Sequence, residues 1–185
     1  MGLVNSTMLP LNTKAENFSL LEVVSGKYHS LSDLTGKEGT VIMFICNHCP
    51  FVKHVQLALV KIATDYQSRG INFIAINSND AGSYPEDSPE KMKELAITLK
   101  YPFPYLYDET QVVAKQYQAA CTPDFYVYDA ELKCVYRGQL DDSRPQNNIP
   151  VTGHDLCQAL ENLLTKKPID VNQKPSIGCS IKWKA

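Results

Sequence analysis

Two periods alternate along this chain. Thr40 to Ile45 is a continuous apolar, largely β-branched run, the pattern of a strand buried on both faces. Pro50 sits where a helix should begin. Phe51, Val55, Leu57, Ala58, Leu59, Ile62 and Tyr66 then recur at helical spacing, and Gly70 stops the helix. Ile71 to Asn77 is a second buried strand, and Asn79 to Pro89 is a polar loop. Ser88, Pro89 and Glu90 open a helix that runs through Leu99, with Met92, Leu95, Ala96 and Leu99 on one face. Pro102 and Pro104 keep Tyr101 to Asp108 extended, and Glu109 to Gln118 reads as a short helix. Phe125 to Tyr128 and Lys133 to Arg137 form a hairpin about Asp129, Ala130 and Glu131. A polar loop from Asp141 to Pro150 leads into a last helix, Val151 to Lys167, which turns Leu156, Leu160, Leu163 and Leu164 inward. Upstream, Phe18 to Val24 and Lys27 to Leu31 flank Ser25 and Gly26 as another hairpin, and Asp33 to Lys37 reads as a turn.

A strand, helix and strand at the start of this order require a parallel pair with a right-handed crossover. The later hairpin adds antiparallel strands. The expected result is an α/β fold with a mixed central sheet and helices on both faces. The length of 185 residues suits one domain, and 44% hydrophobic with 21% charged residues excludes a disordered chain. A net charge of -2 gives no broad attraction for nucleic acid or an anionic membrane, so neither is an expected partner. The opening residues lack a positive segment followed by an apolar run, so a cytoplasmic location with mostly reduced thiols is the expectation.

The chemistry concentrates in Cys46-Asn47-His48-Cys49, which lies directly after a buried strand and directly before a helix. A C-x-x-C at that junction reads as a redox motif. The expectation is that Cys46 lands at the helix N-terminus, where unpaired N–H groups and the dipole stabilise a thiolate. Cys46 is then the exposed, low-pKa nucleophile and Cys49 its buried partner one turn on. An imidazolium at His48 would stabilise the reduced form and make the disulfide more oxidising. Zinc would need further ligands, and no second close C-x-x-C or histidine pair follows. Covalent haem needs a histidine where Pro50 stands. No metal or organic cofactor is therefore expected.

The segment Phe44 to Lys53 resembles the active-site segment of thioredoxin-fold proteins, and most closely the peroxiredoxin-like, AhpC/TSA-related redoxin branch with a thioredoxin-type C-x-x-C. Cys121-Thr122-Pro123-Asp124-Phe125 matches the Thr-Pro that thioredoxins place, as a cis-proline, opposite the cysteines, and Ser176 to Trp183 resembles the tail of that branch. The resemblance covers about Leu11 to Lys184 and implies a single thioredoxin-like domain over 1–185. Residues 1–38 would form an N-terminal hairpin extension and residues 168–185 a C-terminal tail. It also implies that Thr122 and Pro123 bind an extended substrate. There are departures. Thioredoxin's buried carboxylate falls at Thr40 and its tryptophan at Ile45. In the peroxiredoxin pattern Cys49 holds the peroxidatic place, but Cys46 and Ile42 stand for the threonine and proline, and the expected arginine is missing from 121–124. The implied activity is thiol–disulfide exchange with a protein or small-molecule disulfide or thiol and an unspecified thiol reductant. The alternatives are a peroxiredoxin-like peroxidase and a non-catalytic peptide-binding module.

Other residues carry weaker signals. Cys121, Arg144 and Cys179 are auxiliary candidates, Arg144 as a holder of a substrate carboxylate or of the tail and Cys179 as a resolving or regulatory thiol. Cys134 and Cys157 read as core. Lys53 and His54 lie in the first turns of the active-site helix, near enough to act weakly on a thiolate. Tyr84, Tyr101, Tyr105 and Tyr107 read as packing. In the tail, Ile181 and Trp183 alternate with Lys182 and Lys184, so residues 176–184 should be ordered with the indole packed inward.

Overall fold

The structure, a computed structural model, describes residues 2–185. Its centre is β4 (Gly39–Phe44), every residue of which is buried. β4 pairs in parallel with β5 (Ile71–Asn77) and antiparallel with β8 (Asp124–Asp129). The crossover from β4 to β5 is α2 (Pro50–Gln67), and the crossover from β5 to parallel β6 (Tyr105–Tyr107) carries α3 (Pro89–Thr98). β9 (Cys134–Gly138) extends one edge beside β8. The upstream hairpin, β2 (Ser19–Glu22) with β3 (Lys27–Ser30), extends the other through β2 against β6. The sheet order is therefore β3-β2-β6-β5-β4-β8-β9. The elements read from periodicity are present with small shifts at their ends.

Side chains alternate across the sheet and build two cores. Val41, Met43, Phe73, Phe125 and Val127 meet α2 and α5 (His154–Leu164) on one face. Ile42, Phe44, Ile74, Ile76 and Tyr126 meet α4 (Val112–Gln116) and the N-terminal segment on the other. The residues read as a turn at Asp33 begin instead within a single helical turn, α1 (Leu31–Leu34). Asp33 is the reason, because its carboxylate accepts both the backbone N–H and the hydroxyl of Ser30.

A second, three-stranded sheet stands outside the order that periodicity predicts. β10 (Ile177–Ser180) lies between β1 (Leu3–Asn5) and β7 (Cys121–Thr122), antiparallel to both. The chain returns to it past Gly138, whose φ is +139° and whose missing side chain leaves room for the Lys174 carbonyl. The Gln139 N–H then donates to that carbonyl at 3.0 Å. Residues 176–184 are ordered, as expected, but not because the indole is buried. Lys182 is buried and Trp183 is 43% exposed, resting under the Lys115 ammonium. The periodicity breaks because the chain leaves the strand after Ser180 and is pinned through its backbone. The Lys182 N–H donates to Asn79 Oδ1, and the Lys182 carbonyl accepts from Asp80 N–H and Gln111 Nε2. Among the described residues, no helix is long and apolar enough to cross a membrane.

Candidate active site

Cys46 follows the C-terminal end of β4, and Cys49 is the N-cap of α2. This reverses the expected placement. Pro50 occupies the first helical position, so the helix begins one residue after the second cysteine rather than at the first. Pro50 was itself the signal that marks Cys49 as the cap. The expected exposed Cys46 is also absent, since Cys46 is 1% and Cys49 0% exposed.

The Thr122–Pro123 bond is cis, as expected. Thr122 touches both sulfurs: its Oγ1 lies 3.4 Å from Cys46 Sγ, and its carbonyl accepts from Cys49 Sγ at 3.2 Å. The two thiols are neighbours, and they divide the charge unequally. Cys46 holds its proton well above the usual thiol range because of Cys49 first, then burial, then the Asp87 carboxylate. Cys49 is pushed down by Cys46, by the Cys179 thiol, and by the N–H groups of Val52 and Cys179. The Thr122 carbonyl works the other way, because that contact suits a protonated Cys49. Four donors against one acceptor favour the thiolate on Cys49. The low-pKa thiol is therefore Cys49, the opposite of the expected assignment, and the largest cause is the Cys46 thiol, with the Cys179 thiol and the N–H groups of Val52 and Cys179 adding to it.

His48 does not act on Cys46 alone. Its Nδ1 lies 2.5 Å from Oδ2 of Asp87, a carboxylate with no exposure. Asp87 closes the one-turn 3₁₀ segment Pro85–Asp87, far from the motif in sequence, and no local pattern marked it. Its carboxylate also accepts from Asn47 N–H, Asn77 Nδ2 and Asn79 Nδ2. Cys46, His48 and Asp87 offer atoms that all lie within 4.8 Å of one another, a spacing a metal ion could span. The donor set argues against one, because four hydrogen bonds occupy the lone pairs of Asp87 and Nδ1 of His48 is already paired. Nε2 of His48 is buried without a partner. Tyr84 stacks on the imidazole with ring centroids 5.3 Å apart, and Tyr105 Oη donates to Asn47 Oδ1 at 3.0 Å. Burial and then Cys46 push the Tyr101 phenol up to about 12. Three of the tyrosines read as packing thus border the site.

The remaining candidates separate. Cys179 pairs with Thr122 across the β7–β10 ladder and meets Cys49. Cys121 turns its thiol to the Pro123 carbonyl, and burial pushes its pKa up. Arg144 donates to the carbonyls of Asp141 and Ser143 and to Gln139 Oε1, which braces its own loop. His54 meets Ser143 Oγ at 2.6 Å, and Lys53 is exposed. Cys134 is buried, and Cys157 is half-buried against the α2–α5 core. The cleft beside Pro123 holds only about 20 Å³, too little for a peptide side chain.

The model of the AhpC/TSA family matches residues 11–137. The chain belongs to the AhpC/TSA family. A solved structure from Geobacillus kaustophilus, described as an uncharacterized conserved protein, is 63% identical with a TM-score of 0.98 and covers 100% of this chain and 97% of its own. A hypothetical protein from Sinorhizobium meliloti is 44% identical with a TM-score of 0.95 over 98% of each chain. A secreted Mycobacterium tuberculosis disulfide oxidoreductase, homologous to a DsbE protein, is 17% identical with a TM-score of 0.59, covering 78% of this chain and 94% of that one. That likeness speaks to the fold alone. No curated protein matches the chain at a significant level. The redoxin therefore has the thioredoxin-like α/β fold, a mixed sheet flanked by helices, with a small extra sheet beside its cysteines.

Proposed function

We propose that this redoxin exchanges disulfides with thiol or disulfide substrates through the Cys46–Cys49 pair. The observation that carries the reading is Thr122, which touches both sulfurs from the cis-proline turn. Cys46 meets the substrate, since it adjoins the partly exposed His48, whereas Cys49 is closed over by Cys179. Cys46 attacks one sulfur of a substrate disulfide while its proton passes to the Cys49 thiolate. One substrate thiolate leaves and a mixed disulfide forms on Cys46. Cys49 then gives its proton to the departing thiolate and attacks Cys46, which releases the second thiol and closes the Cys46–Cys49 disulfide. In reverse, Cys49 is the leaving group. A low leaving-group pKa speeds departure and stabilises the reduced form, so the pair is poised to oxidise thiols.

Peroxide reduction at Cys49 is the second reading, favoured by the low pKa of that thiol. Peroxide needs fixed donors for the charge developing on oxygen. The three arginines are all held elsewhere: Arg69 by Glu161, Arg137 by Leu9 and Gln173, and Arg144 by its own loop. The test mixes prereduced protein in a single turnover with oxidised glutathione or with hydrogen peroxide. Glutathione disulfide should close Cys46–Cys49, and Cys49→Ser should stop at a mixed disulfide on Cys46. Much faster reaction with peroxide, kept by Cys46→Ser and lost by Cys49→Ser, would replace this reading with the peroxidase.

A further inference from the structure

The edge of Thr122 that an extended substrate would use is already occupied. β10 pairs with β7 there, with Cys179 opposite Thr122 and Ser180 opposite Cys121. The approach is close. A Cβ on Gly178 would lie 2.0 Å from the Thr122 carbonyl oxygen, so only glycine lets the strand sit this near. Ser176 Oγ donates to the Pro123 carbonyl at 2.6 Å and holds the strand from its other end. β1 covers its outer side, with Leu3 opposite Cys179. Cys179 is 3% exposed, and both its thiol and its N–H act on the Cys49 sulfur. A strand added at a sheet edge is a general way for a peptide to be held. Here the chain supplies that strand itself and sets a thiol against the charged cysteine.

We propose that Cys179 is a third redox thiol, which takes over the disulfide from Cys46 to form a Cys49–Cys179 bond. This rests on the dithiol reading above. Starting from the Cys46–Cys49 disulfide, Cys179 loses its proton and its sulfur attacks Cys49. The Cys46–Cys49 bond breaks, and Cys46 leaves and takes up the proton. The step is an isomerisation with no net transfer of electrons; the substrate disulfide that closed Cys46–Cys49 supplies the oxidation. The released Cys46 is the sulfur whose surroundings, burial and the Asp87 carboxylate among them, favour a neutral thiol. The product ties β10 covalently to the start of α2. It leaves Cys46 as a free thiol beside His48 and stores the oxidation out of reach of solvent.

The test treats the full reduced chain with one equivalent of the thiol oxidant diamide, blocks remaining thiols, and maps disulfides by mass spectrometry. Wild type should contain both Cys46–Cys49 and Cys49–Cys179 bonds. Cys46→Ser, with Cys46→Ala as a second version, should lose two of its five thiols to a Cys49–Cys179 bond, and adding Cys179→Ser should abolish that loss. Cys46–Cys49 closure in wild type, with no bond to Cys179 in wild type or in either folded Cys46 variant, would overturn this proposal alone. Absence of the Cys46–Cys49 bond from wild type would instead overturn the dithiol reading.

Discussion

Asp87 holds His48 by Nδ1 at 2.5 Å, and both lie beside Cys46. The pair places the buried Asp87 carboxylate beside the thiol proposed to meet the substrate. Asp87 is among the groups that keep Cys46 protonated. Asp87→Asn should therefore lower the Cys46 pKa and speed its alkylation. The same change turns an amide N–H toward groups that are themselves donors, so it should also cost about 2–4 kcal/mol in stability. Urea unfolding of the reduced protein measures the second effect and pH-resolved iodoacetamide labelling the first. Slower labelling of Cys46 in the variant would contradict the assigned sign.

Thiolate absorbance near 240 nm should persist in the reduced protein well below the ordinary thiol range. It should vanish in Cys49→Ser and survive in Cys46→Ser, because Cys49 keeps the Cys179 thiol and the N–H groups of Val52 and Cys179 as donors. The reverse pattern would restore Cys46 as the low-pKa thiol.

The same depression makes stability depend on pH. Between the lowered Cys49 value and the ordinary thiol value of 9.0, the folded state has released a proton that the unfolded chain still binds. Stability from this group is complete above the ordinary value and is lost as pH falls. The stability difference between reduced wild type and Cys49→Ser should shrink from pH 8 to pH 5, by up to about 1.4 kcal/mol per pH unit. Denaturant midpoints at several pH values measure it, and a difference flat with pH would refute it.

Thr122→Val keeps the shape of the side chain and removes the hydroxyl beside Cys46, the group that lowers the Cys46 pKa. A hydrogen bond to the sulfur as it gives up its proton and gains charge is worth about 1.5–3 kcal/mol, so exchange with oxidised glutathione should slow by roughly tenfold or more. Stopped-flow mixing reads that rate, and an unchanged value would remove the hydroxyl from the reaction.

Gly178→Ala puts a methyl group against the Thr122 carbonyl, and that oxygen belongs to the backbone and cannot swing away. β10 should lift from β7, at a cost of about 1–3 kcal/mol. Alkylation of both Cys49 and Cys179 should accelerate. Retained protection of the two thiols would mean that β10 tolerates the methyl group in place.

The strands of the main sheet, the longer helices and the thiol character of the site were legible in the sequence. Strands at β4 and β5 were legible because a strand buried on both faces is a continuous apolar run, and α2 because Pro50 and Gly70 punctuate a clear period. The Cys46–Cys49 pair and the Thr122–Pro123 turn were legible because each is a short local motif. Tertiary structure decided what acts on those sulfurs. Asp87 reaches His48 from a loop after β5, and Tyr105 reaches Asn47 from β6; neither contact leaves a trace in local spacing. The low pKa falls to Cys49 because, besides the Cys46 thiol, its donors come from two distant places, the first turn of α2 and Cys179 of β10. β10 covers Thr122 because backbone pairing between remote strands depends on which edges the fold leaves open, which apolar periodicity does not record. Trp183 stayed outside for a related reason: Asn79 and Gln111 bind the backbone on either side of it, and those bonds set the direction of the side chains more strongly than the alternation of their polarity.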